Sequence, residues 1–248
     1  MPLNYHWSRQ LNDDSMCRWL AAIRQSAPLR SCSIVADVGC GTGRFSIGLA
    51  ELYQSDVIGI DRSVKMLAEA RARNGQAWLC VGSADALPLL RESLGMIFLS
   101  NVIHHLPDLK KTADGFMDAV EPGGFVVIRN YLREQLQELP YLEFFPEAMD
   151  LSKDSLDSKI EVERAFERAG FQLESYQSVE QPVADSPPQY LKKIQARVYS
   201  DLAAISDEAF GAGVSRMAAA VSAGWHRSLT EPVSLFSFQR PAASWHQV

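Results

Sequence analysis

Residues 35–43 read Val35-Ala36-Asp37-Val38-Gly39-Cys40-Gly41-Thr42-Gly43, and a second apolar run over 57–60 ends at Asp61. A short apolar run that ends in alternating glycines indicates a buried parallel strand breaking into a tight loop. Glycines let the backbone turn without a Cβ clash, and they allow a ligand to lie against bare peptide. An acid about 20 residues further on is placed to accept hydrogen bonds from both hydroxyls of a ribose. The sequence therefore predicts a nucleoside-binding half-sheet.

Two interpretations of this glycine loop compete. Dinucleotide-binding enzymes use G-x-G-x-x-G, whose third glycine permits close packing of helix and strand behind a pyrophosphate. Here Arg44 occupies that third position, and the glycines fall at Gly39, Gly41 and Gly43 instead. The pattern D-x-G-x-G-x-G resembles the first motif of the class I S-adenosylmethionine (SAM)-dependent methyltransferases, whose loop passes beneath the methionine part of the cofactor. A nicotinamide oxidoreductase stays the disfavoured alternative.

Four further segments resemble the same family in the expected order. They are the second strand and following helix (59–67), the segment that flanks the adenine (81–89), the fourth strand with the loop at the methionine end (98–107), and the proline–glycine turn into strand five (121–129). The resemblance covers roughly residues 5 to 240. It implies an α/β fold: a Rossmann-like, seven-stranded, mostly parallel sheet with helices on both faces, an antiparallel final strand and helical lid elements.

The resemblance also implies which residues bind SAM and release S-adenosylhomocysteine. The ribose-binding acid is Asp61. Many relatives carry Asp where this chain has Ser83, so a backbone or hydroxyl contact from Ser83 and Ala84 could replace the usual carboxylate contact to the adenine amino group. Tyr5 and Arg9 resemble a pair that relatives place near the methionine end. The complete set of expected cofactor-binding residues is Asp37, Gly39, Gly41, Thr42, Gly43, Asp61, Arg62, Met66, Ser83, Ala84, Asp85, Asn101 and Arg9.

The chain is expected to form one methyltransferase domain with four parts. Residues 1–30 hold an N-terminal cap helix over 12–26, and 31–180 form the SAM-binding core of alternating strands and helices. A helical lid follows over 181–230, with helices near 190–205 and 207–223. Residues 231–248 supply the last strand, over 232–238, and the tail.

Composition limits the class of protein. The chain has 248 residues, 47% of them apolar, enough for one good core. A net charge of −6 argues against nonspecific binding to nucleic acid, which needs a basic surface. Since the sequence shows neither a signal sequence nor a membrane-spanning run, we expect a cytoplasmic protein, monomeric or homodimeric. The four cysteines lack paired metal-ligand spacing, and no metal is expected.

Methyl transfer from SAM requires few catalytic side chains. The methyl group of SAM sits on a cationic sulfonium, so transfer is an in-line displacement in which alignment alone supplies on the order of 7–11 kcal/mol. A base is needed only if the nucleophile arrives protonated. His105 and His104 are the candidate bases, with a structural role in the loop as the alternative. On an extended segment the two rings would point in opposite directions, which disfavours a metal site there.

Residues beyond strand five are candidates for an acceptor pocket: Arg129, Tyr131, Tyr141, Phe144 and Phe145. Aromatic rings could form apolar walls while Arg129 or Tyr131 binds a polar group. The alternative makes the two phenylalanines ordinary core packing. The fourth strand also lacks the Asn-Pro-Pro-aromatic motif of amino-methylating DNA and protein enzymes.

Two hypotheses follow from the family resemblance. The first is a methyltransferase of small-molecule metabolism whose acceptor atom is oxygen, nitrogen, carbon or sulfur. The second is a SAM-binding protein that does not transfer methyl groups, acting as a regulatory module or using SAM for another reaction.

Overall fold

A computed structural model describes residues 13–29, 33–73 and 78–242 of the chain. Within these ranges it contains a sheet in the order β3-β2-β1-β4-β5-β7-β6. The strands are β1 (Val35–Val38), β2 (Val57–Asp61), β3 (Trp78–Val81), β4 (Leu94–Ser100), β5 (Val120–Asn130), β6 (Gln172–Pro182) and β7 (Thr230–Gln239).

The centre of the sheet consists of parallel strands with almost uniformly apolar sequences. Val35 of β1 lies opposite Val57 of β2 on one side and Met96 of β4 on the other. All of β1 is buried, as expected for a strand covered on both faces. The strand order reverses between β1 and β4, and open α/β sheets bind ligands at the carboxyl ends of strands at such a point.

The last strand runs antiparallel to β5, with Val126 opposite Phe238. It begins two residues before the predicted segment and ends one residue after it. The prediction of a seven-stranded, mostly parallel sheet with an antiparallel final strand is confirmed, and helices lie around the sheet.

β5 starts earlier than the sequence predicted. The expected turn at 122–124 lies inside the strand as a bulge, because Leu94 pairs with Val120 whereas Met96 pairs with Phe125. Gly123 adopts a φ of +85°, which glycine tolerates, and its N–H donates to the carbonyl oxygen of Arg240 at 2.9 Å. The proline–glycine signal therefore marks an irregular strand and not its beginning.

The described α-helices lie before the first strand and between the later strands. They are α1 (Asp13–Ser26), α2 (Ser46–Tyr53), α3 (Val64–Arg73), α4 (Leu109–Ala119), α5 (Pro146–Ser155), α6 (Lys159–Ala169), α7 (Pro187–Gln195), α8 (Ser200–Ala204) and α9 (Asp207–Ser222). No helix within the described residues combines the length and the apolar character needed to cross a bilayer.

The predicted helix over 190–205 is wrong as a single element. α7 ends at Gln195, and Arg197 takes a left-handed backbone with φ +53° before the short α8 begins. The Arg197 guanidinium donates to the carbonyl oxygens of Leu202 and Ile205 and pairs with Asp207. These bonds fix the joint, although the sequence there contains no glycine or proline to signal a break.

The contacts group the chain into two compact units. The helical unit includes Tyr131–Ser158 and Ser178–Val233, and the sheet unit includes Lys159–Gln177 and most of what precedes Tyr131. In the helical unit, Phe145 is fully buried and packs against Gly213 so closely that an added Cβ would lie 2.2 Å from the ring. The predicted boundaries at 30, 180 and 230 stay a prediction, and 131–158 group with the helical unit.

Candidate functional site

The glycine loop leaves β1 at Val38 and reaches α2 at Ser46. Gly39 has a φ of +70°, and a Cβ there would lie 2.4 Å from Cγ2 of Val102. Its N–H donates to the carbonyl oxygen of Ile60 at 2.7 Å, which anchors the loop to β2. Only glycine fits this position, because both the backbone conformation and the space exclude a side chain.

Gly41 presents the opposite situation. Its φ is +56°, and a Cβ built there meets no atom within 4 Å among the described residues. The backbone of Gly41 therefore borders open space into which a ligand could pack. This open face is what the predicted cofactor would require of the loop.

Asp61 closes the loop from the end of β2. One carboxylate oxygen accepts the Gly41 N–H at 2.8 Å, and the other accepts the Ser63 N–H at 2.8 Å. Two backbone donors fix the carboxylate, while each oxygen keeps a second lone pair for a further donor. The half-buried carboxylate can therefore still accept the hydroxyl groups of a ribose.

Asp37 lies inside the sheet unit and is 2% exposed. The hydroxyl of Ser46 donates to its carboxylate at 2.6 Å. Burial raises the pKa of Asp37 from 3.8 to about 6, although the Ser46 hydrogen bond and the charge of Arg44 act in the opposite direction. Asp37, which the sequence places among the cofactor-binding residues, therefore exchanges its proton at about pH 6. Its hydrogen-bond partner Ser46 was not predicted from the sequence.

The stability of the ligand-free protein should depend on this proton. Because the native pKa is raised, the stabilisation is complete below pH 3.8 and is lost as the pH rises through about 6. The free energy of unfolding should fall by about 1 kcal/mol from about pH 5 to pH 7, as denaturant titrations at both pH values would measure. Asp37→Asn should remove this part of the pH dependence.

Ser46→Ala tests the cause of that dependence. Removing the hydroxyl that donates to Asp37 should raise the carboxyl pKa further, so the loss of stability should move to higher pH. Identical pH profiles in the wild type, Asp37→Asn and Ser46→Ala would rule out Asp37 as the responsible group.

In the segment predicted to flank the adenine, a carboxylate lies two residues after Ser83. The Ser83 hydroxyl donates to the Asp85 carboxylate, and this bond lowers the Asp85 pKa below its usual range. Ser83 also pairs with Ala86 in an isolated antiparallel bridge, while Ala84 is buried. Asp85 therefore remains an anionic acceptor beside Ser83.

Asn101 follows β4 with a left-handed φ of +56°. Its N–H donates to the carbonyl oxygen of Arg129 at 2.8 Å. Its side-chain oxygen is buried and has no hydrogen-bond partner among the described residues. This oxygen can therefore accept a hydrogen bond from a water molecule or from a ligand.

The two histidines lie in a 3₁₀ turn (Ile103–His105), so the prediction of an extended segment is wrong. In a helical turn neighbouring side chains need not diverge, and the ring centres are 4.0 Å apart. His104 is half-buried with Nδ1 3.3 Å from Oδ1 of Asn130, whereas His105 is exposed. No group of three or more potential metal ligands occurs in the described part of the chain.

Arg129, expected in an acceptor pocket, lies in the interior of the sheet unit with 1% exposure. Its guanidinium carbon is 4.3 Å from the ring centre of Trp19 and 5.7 Å from that of Phe45. One guanidinium nitrogen donates to the Ser100 hydroxyl at 3.2 Å. This buried cation thus connects α1, the exit of the glycine loop and the end of β4.

The other expected pocket residues belong to the helical unit. Phe145 is fully buried, Phe144 packs edge-on against Trp225 at 5.5 Å, and Tyr141 is 2% exposed. Both phenylalanines pack in the core of the helical unit, and their part in an acceptor pocket stays a prediction. Tyr131 is half-buried, and its hydroxyl donates to Glu231 at 2.5 Å.

The remaining predicted cofactor residues occupy the same loops or lie outside the described part. Thr42 is half-buried in the glycine loop, and Arg62 is exposed between β2 and α3. The N–H of Met66 donates to the Ser63 hydroxyl at 3.3 Å. Tyr5 and Arg9 lie outside the described residues.

Comparison with known proteins identifies similar sequences. Residues 36–128 match a family model described as a methyltransferase domain. The chain is 34% identical over 111 residues to a malonyl-[acyl-carrier protein] O-methyltransferase of Xylella fastidiosa, covering 43% of this chain and 37% of that protein. It is 30% identical to a tRNA (carboxymethyluridine(34)-5-O)-methyltransferase of Macaca fascicularis over 60% of this chain and 22% of that protein. The chain thus spans well under half the length of these curated relatives.

Solved structures show the same fold. A protein from Anabaena variabilis, assigned as a methyltransferase of an antibiotic biosynthesis pathway, superposes with a TM-score of 0.76 at 20% identity. The match covers 89% of this chain and 96% of that chain. At this level of identity the likeness concerns the fold alone.

Proposed function

Because the chain belongs to the class I family of SAM-dependent methyltransferases, we propose that it transfers a methyl group from SAM to a small-molecule acceptor. SAM supplies an electrophilic methyl group on a sulfonium, and transfer to an in-line nucleophile leaves S-adenosylhomocysteine. The observation that carries the proposal is the glycine loop held by Asp61, with open space at Gly41.

The residues of the sheet unit fit this cofactor. Asp61 would accept the ribose hydroxyls, and the bare backbone at Gly41 would lie against the methionine part. The buried oxygen of Asn101 would accept N–H donors of the α-ammonium group. Asp85, beside Ser83, would accept the adenine amino group. These four contacts orient the cofactor, and orientation is the main requirement of the reaction.

The acceptor class is inferred from charge and from relatives. A chain with a net charge of −6 lacks the overall basic character that favours binding to a polyanion such as tRNA. One relative is named for a malonyl group on a carrier protein and another for a tRNA base, so the relatives alone do not identify the acceptor class of this chain. We therefore propose a small metabolite as the methyl acceptor, with tRNA as the second candidate. A reducing cytoplasm and a monomeric or homodimeric state stay predictions.

We propose His105, before His104, as the base for an acceptor that arrives protonated. Its ring is exposed, whereas Nδ1 of His104 lies 3.3 Å from Asn130. His105→Gln should lower kcat by about 100-fold and change its pH profile, since a positioned base contributes this much. His104→Gln serves as the matched control with a smaller expected loss. Unaltered turnover of His105→Gln across pH would refute the assignment.

Calorimetric titration with SAM, S-adenosylhomocysteine and NADH tests the cofactor. We expect binding of the first two at about micromolar affinity and none for NADH. Binding of NADH alone would overturn the family assignment of the site. If SAM binds, a screen with labelled methyl groups against small metabolites and tRNA follows. Labelling of tRNA alone would replace the small-molecule proposal, and SAM binding without any transfer would favour the non-transferring alternative.

A further inference from the structure

The end of β5 holds the β4 loop, residues 101–105. Ser100, the last residue of β4, lies opposite Arg129 in the parallel pairing of the two strands. The Arg129 carbonyl oxygen accepts the N–H of Asn101 at 2.8 Å, and one guanidinium nitrogen donates to the Ser100 hydroxyl at 3.2 Å. Arg129 therefore fixes the start of the β4 loop through both its main chain and its side chain.

The β4 loop borders the glycine loop directly. An added Cβ at Gly39 would lie 2.4 Å from Cγ2 of Val102, so the two loops are in contact. Asn101 has a φ of +56°, a conformation that surrounding contacts must maintain in a residue other than glycine. Since the rotamers open to a side chain depend on its backbone conformation, the bond to Arg129 also determines where the buried Asn101 oxygen lies.

Aromatic rings fix the guanidinium of Arg129. Its carbon lies 4.3 Å from the ring centre of Trp19 and 5.7 Å from that of Phe45. Phe45 precedes α2 at the exit of the glycine loop, and its ring centre is 5.0 Å from that of Phe98 in β4. Ring faces attract a guanidinium and its planar group stacks on them, which restricts its orientation. The N–H group that donates to Ser100 is therefore held in one direction.

Packing alone does not call for an arginine at this position of β5. The preceding residues Val127 and Ile128 are apolar and fully buried. Removing a charged group from water is costly, and an apolar side chain would fill a buried position without that cost. The guanidinium supplies what an apolar side chain cannot, which is a rigid stack on Trp19 together with a hydrogen bond to Ser100. These contacts indicate a role in the geometry of the β4 loop.

We propose that Arg129 is a positioning residue that sets the Asn101 oxygen for the α-ammonium group of SAM, an inference that rests on the proposed function. In this role Arg129 acts through Ser100 and Asn101 and does not itself touch the cofactor. Its influence is confined to the amino-acid end of the cofactor. The adenosine part, which Asp61 is proposed to bind, is held independently of Arg129.

Two ligands that share the adenosine part test this role on the whole protein. S-adenosylhomocysteine carries the α-ammonium group, whereas 5′-methylthioadenosine ends in a methyl thioether and lacks the amino acid. In calorimetric titrations, Arg129→Met should bind S-adenosylhomocysteine about tenfold more weakly than the wild type does, the scale of one hydrogen bond to a charged group. Its affinity for 5′-methylthioadenosine should stay unchanged. Equal losses for the two ligands, or no loss for either, in the folded variant would overturn the proposal.

Ser100→Ala tests the same role even if Arg129→Met fails to fold. It removes only the hydroxyl that accepts from the guanidinium. We expect a smaller loss of affinity for S-adenosylhomocysteine, about threefold, and none for 5′-methylthioadenosine. Arg168→Met, which removes an arginine from an exposed ion pair with Asp114, is the control and should change neither affinity. Unchanged binding of S-adenosylhomocysteine in Ser100→Ala would overturn the proposal.

A double-mutant cycle with Asn101→Gly tests the route by which Arg129 acts. Glycine tolerates the left-handed backbone, so this substitution removes the side-chain oxygen and keeps the path of the chain. In the Asn101→Gly background, Arg129→Met should cause no further loss of affinity for S-adenosylhomocysteine, because the proposed route ends at Asn101. A further loss of about tenfold would show that Arg129 acts by another route and would overturn the proposal.

Titration of the wild type separates this inference from the proposed function. If SAM and S-adenosylhomocysteine bind, and Arg129→Met weakens S-adenosylhomocysteine and 5′-methylthioadenosine equally, the positioning role fails while methyl transfer stands. If neither SAM nor S-adenosylhomocysteine binds to the wild type, the proposed function fails and the role of Arg129 fails with it.

Discussion

Gly41→Ala is expected to weaken SAM binding by about 10–100-fold while the protein stays folded. The methyl group would enter the open space beside the loop, where no described atom lies within 4 Å of it. In the ligand-free protein the cost is limited to the left-handed backbone, about 1–2 kcal/mol. With SAM bound, the same methyl group would also collide with the cofactor, and overpacking costs about 1–3 kcal/mol more. Calorimetry and thermal unfolding, run together, measure both effects.

Gly211→Ala is the matched control for this loop substitution. Gly211 lies in α9, its added Cβ also meets nothing within 4 Å, and its backbone is helical. We expect unchanged SAM affinity and a gain in stability of about 0.5–1 kcal/mol, because alanine suits a helix interior better than glycine. If Gly41→Ala bound SAM as tightly as Gly211→Ala does, the open face of the loop would not be the cofactor surface.

Asp61→Ala is the second substitution with a large expected effect. It removes the acceptor proposed for the ribose and the carboxylate that anchors the N–H groups of Gly41 and Ser63. Losing hydrogen bonds to a charged group costs about 1–3 kcal/mol, which corresponds to about 5–150-fold weaker SAM binding. Titration of the folded variant with SAM and S-adenosylhomocysteine measures the loss.

Asp61→Asn separates the two roles of the side chain. The amide keeps one oxygen that can accept a hydrogen bond, but its NH₂ group cannot accept from Gly41 or Ser63. We expect an affinity between those of the wild type and Asp61→Ala. The Asp118 carboxylate, in an exposed ion pair with Arg91, offers a control position where alanine should not change the affinity. Wild-type affinity in folded Asp61→Ala would refute the ribose assignment.

Local patterns were sufficient to predict the sheet and the glycine loop. The apolar runs at β1 and β2, the glycines between them and Asp61 lie within about 30 residues of one another, so their spacing alone implies their arrangement. The helix predicted over 12–26 ends at Ser26 as expected, because its apolar residues recur at helical spacing.

Contacts between distant residues could not be predicted from the sequence. Tyr131 and Glu231 are 100 positions apart, and no pattern in a single sequence connects them. Arg129 was assigned to an acceptor pocket because aromatic residues follow it closely in the sequence, whereas the rings that its guanidinium contacts, those of Trp19 and Phe45, lie far from it along the chain. The break after α7 was missed because the left-handed residue there is arginine, a type that seldom adopts this backbone.

The hydrogen bonds of Arg197 couple the local unfolding of neighbouring helices in the helical unit. One guanidinium donates to carbonyl oxygens at both ends of the stretch from Leu202 to Ile205, and it also pairs with Asp207 at the start of α9. A helix of only five residues, such as α8, does not persist alone in water. Amide hydrogen exchange should therefore show α8 and the first turn of α9 opening together as one cooperative segment, with a shared opening free energy in place of independent fraying.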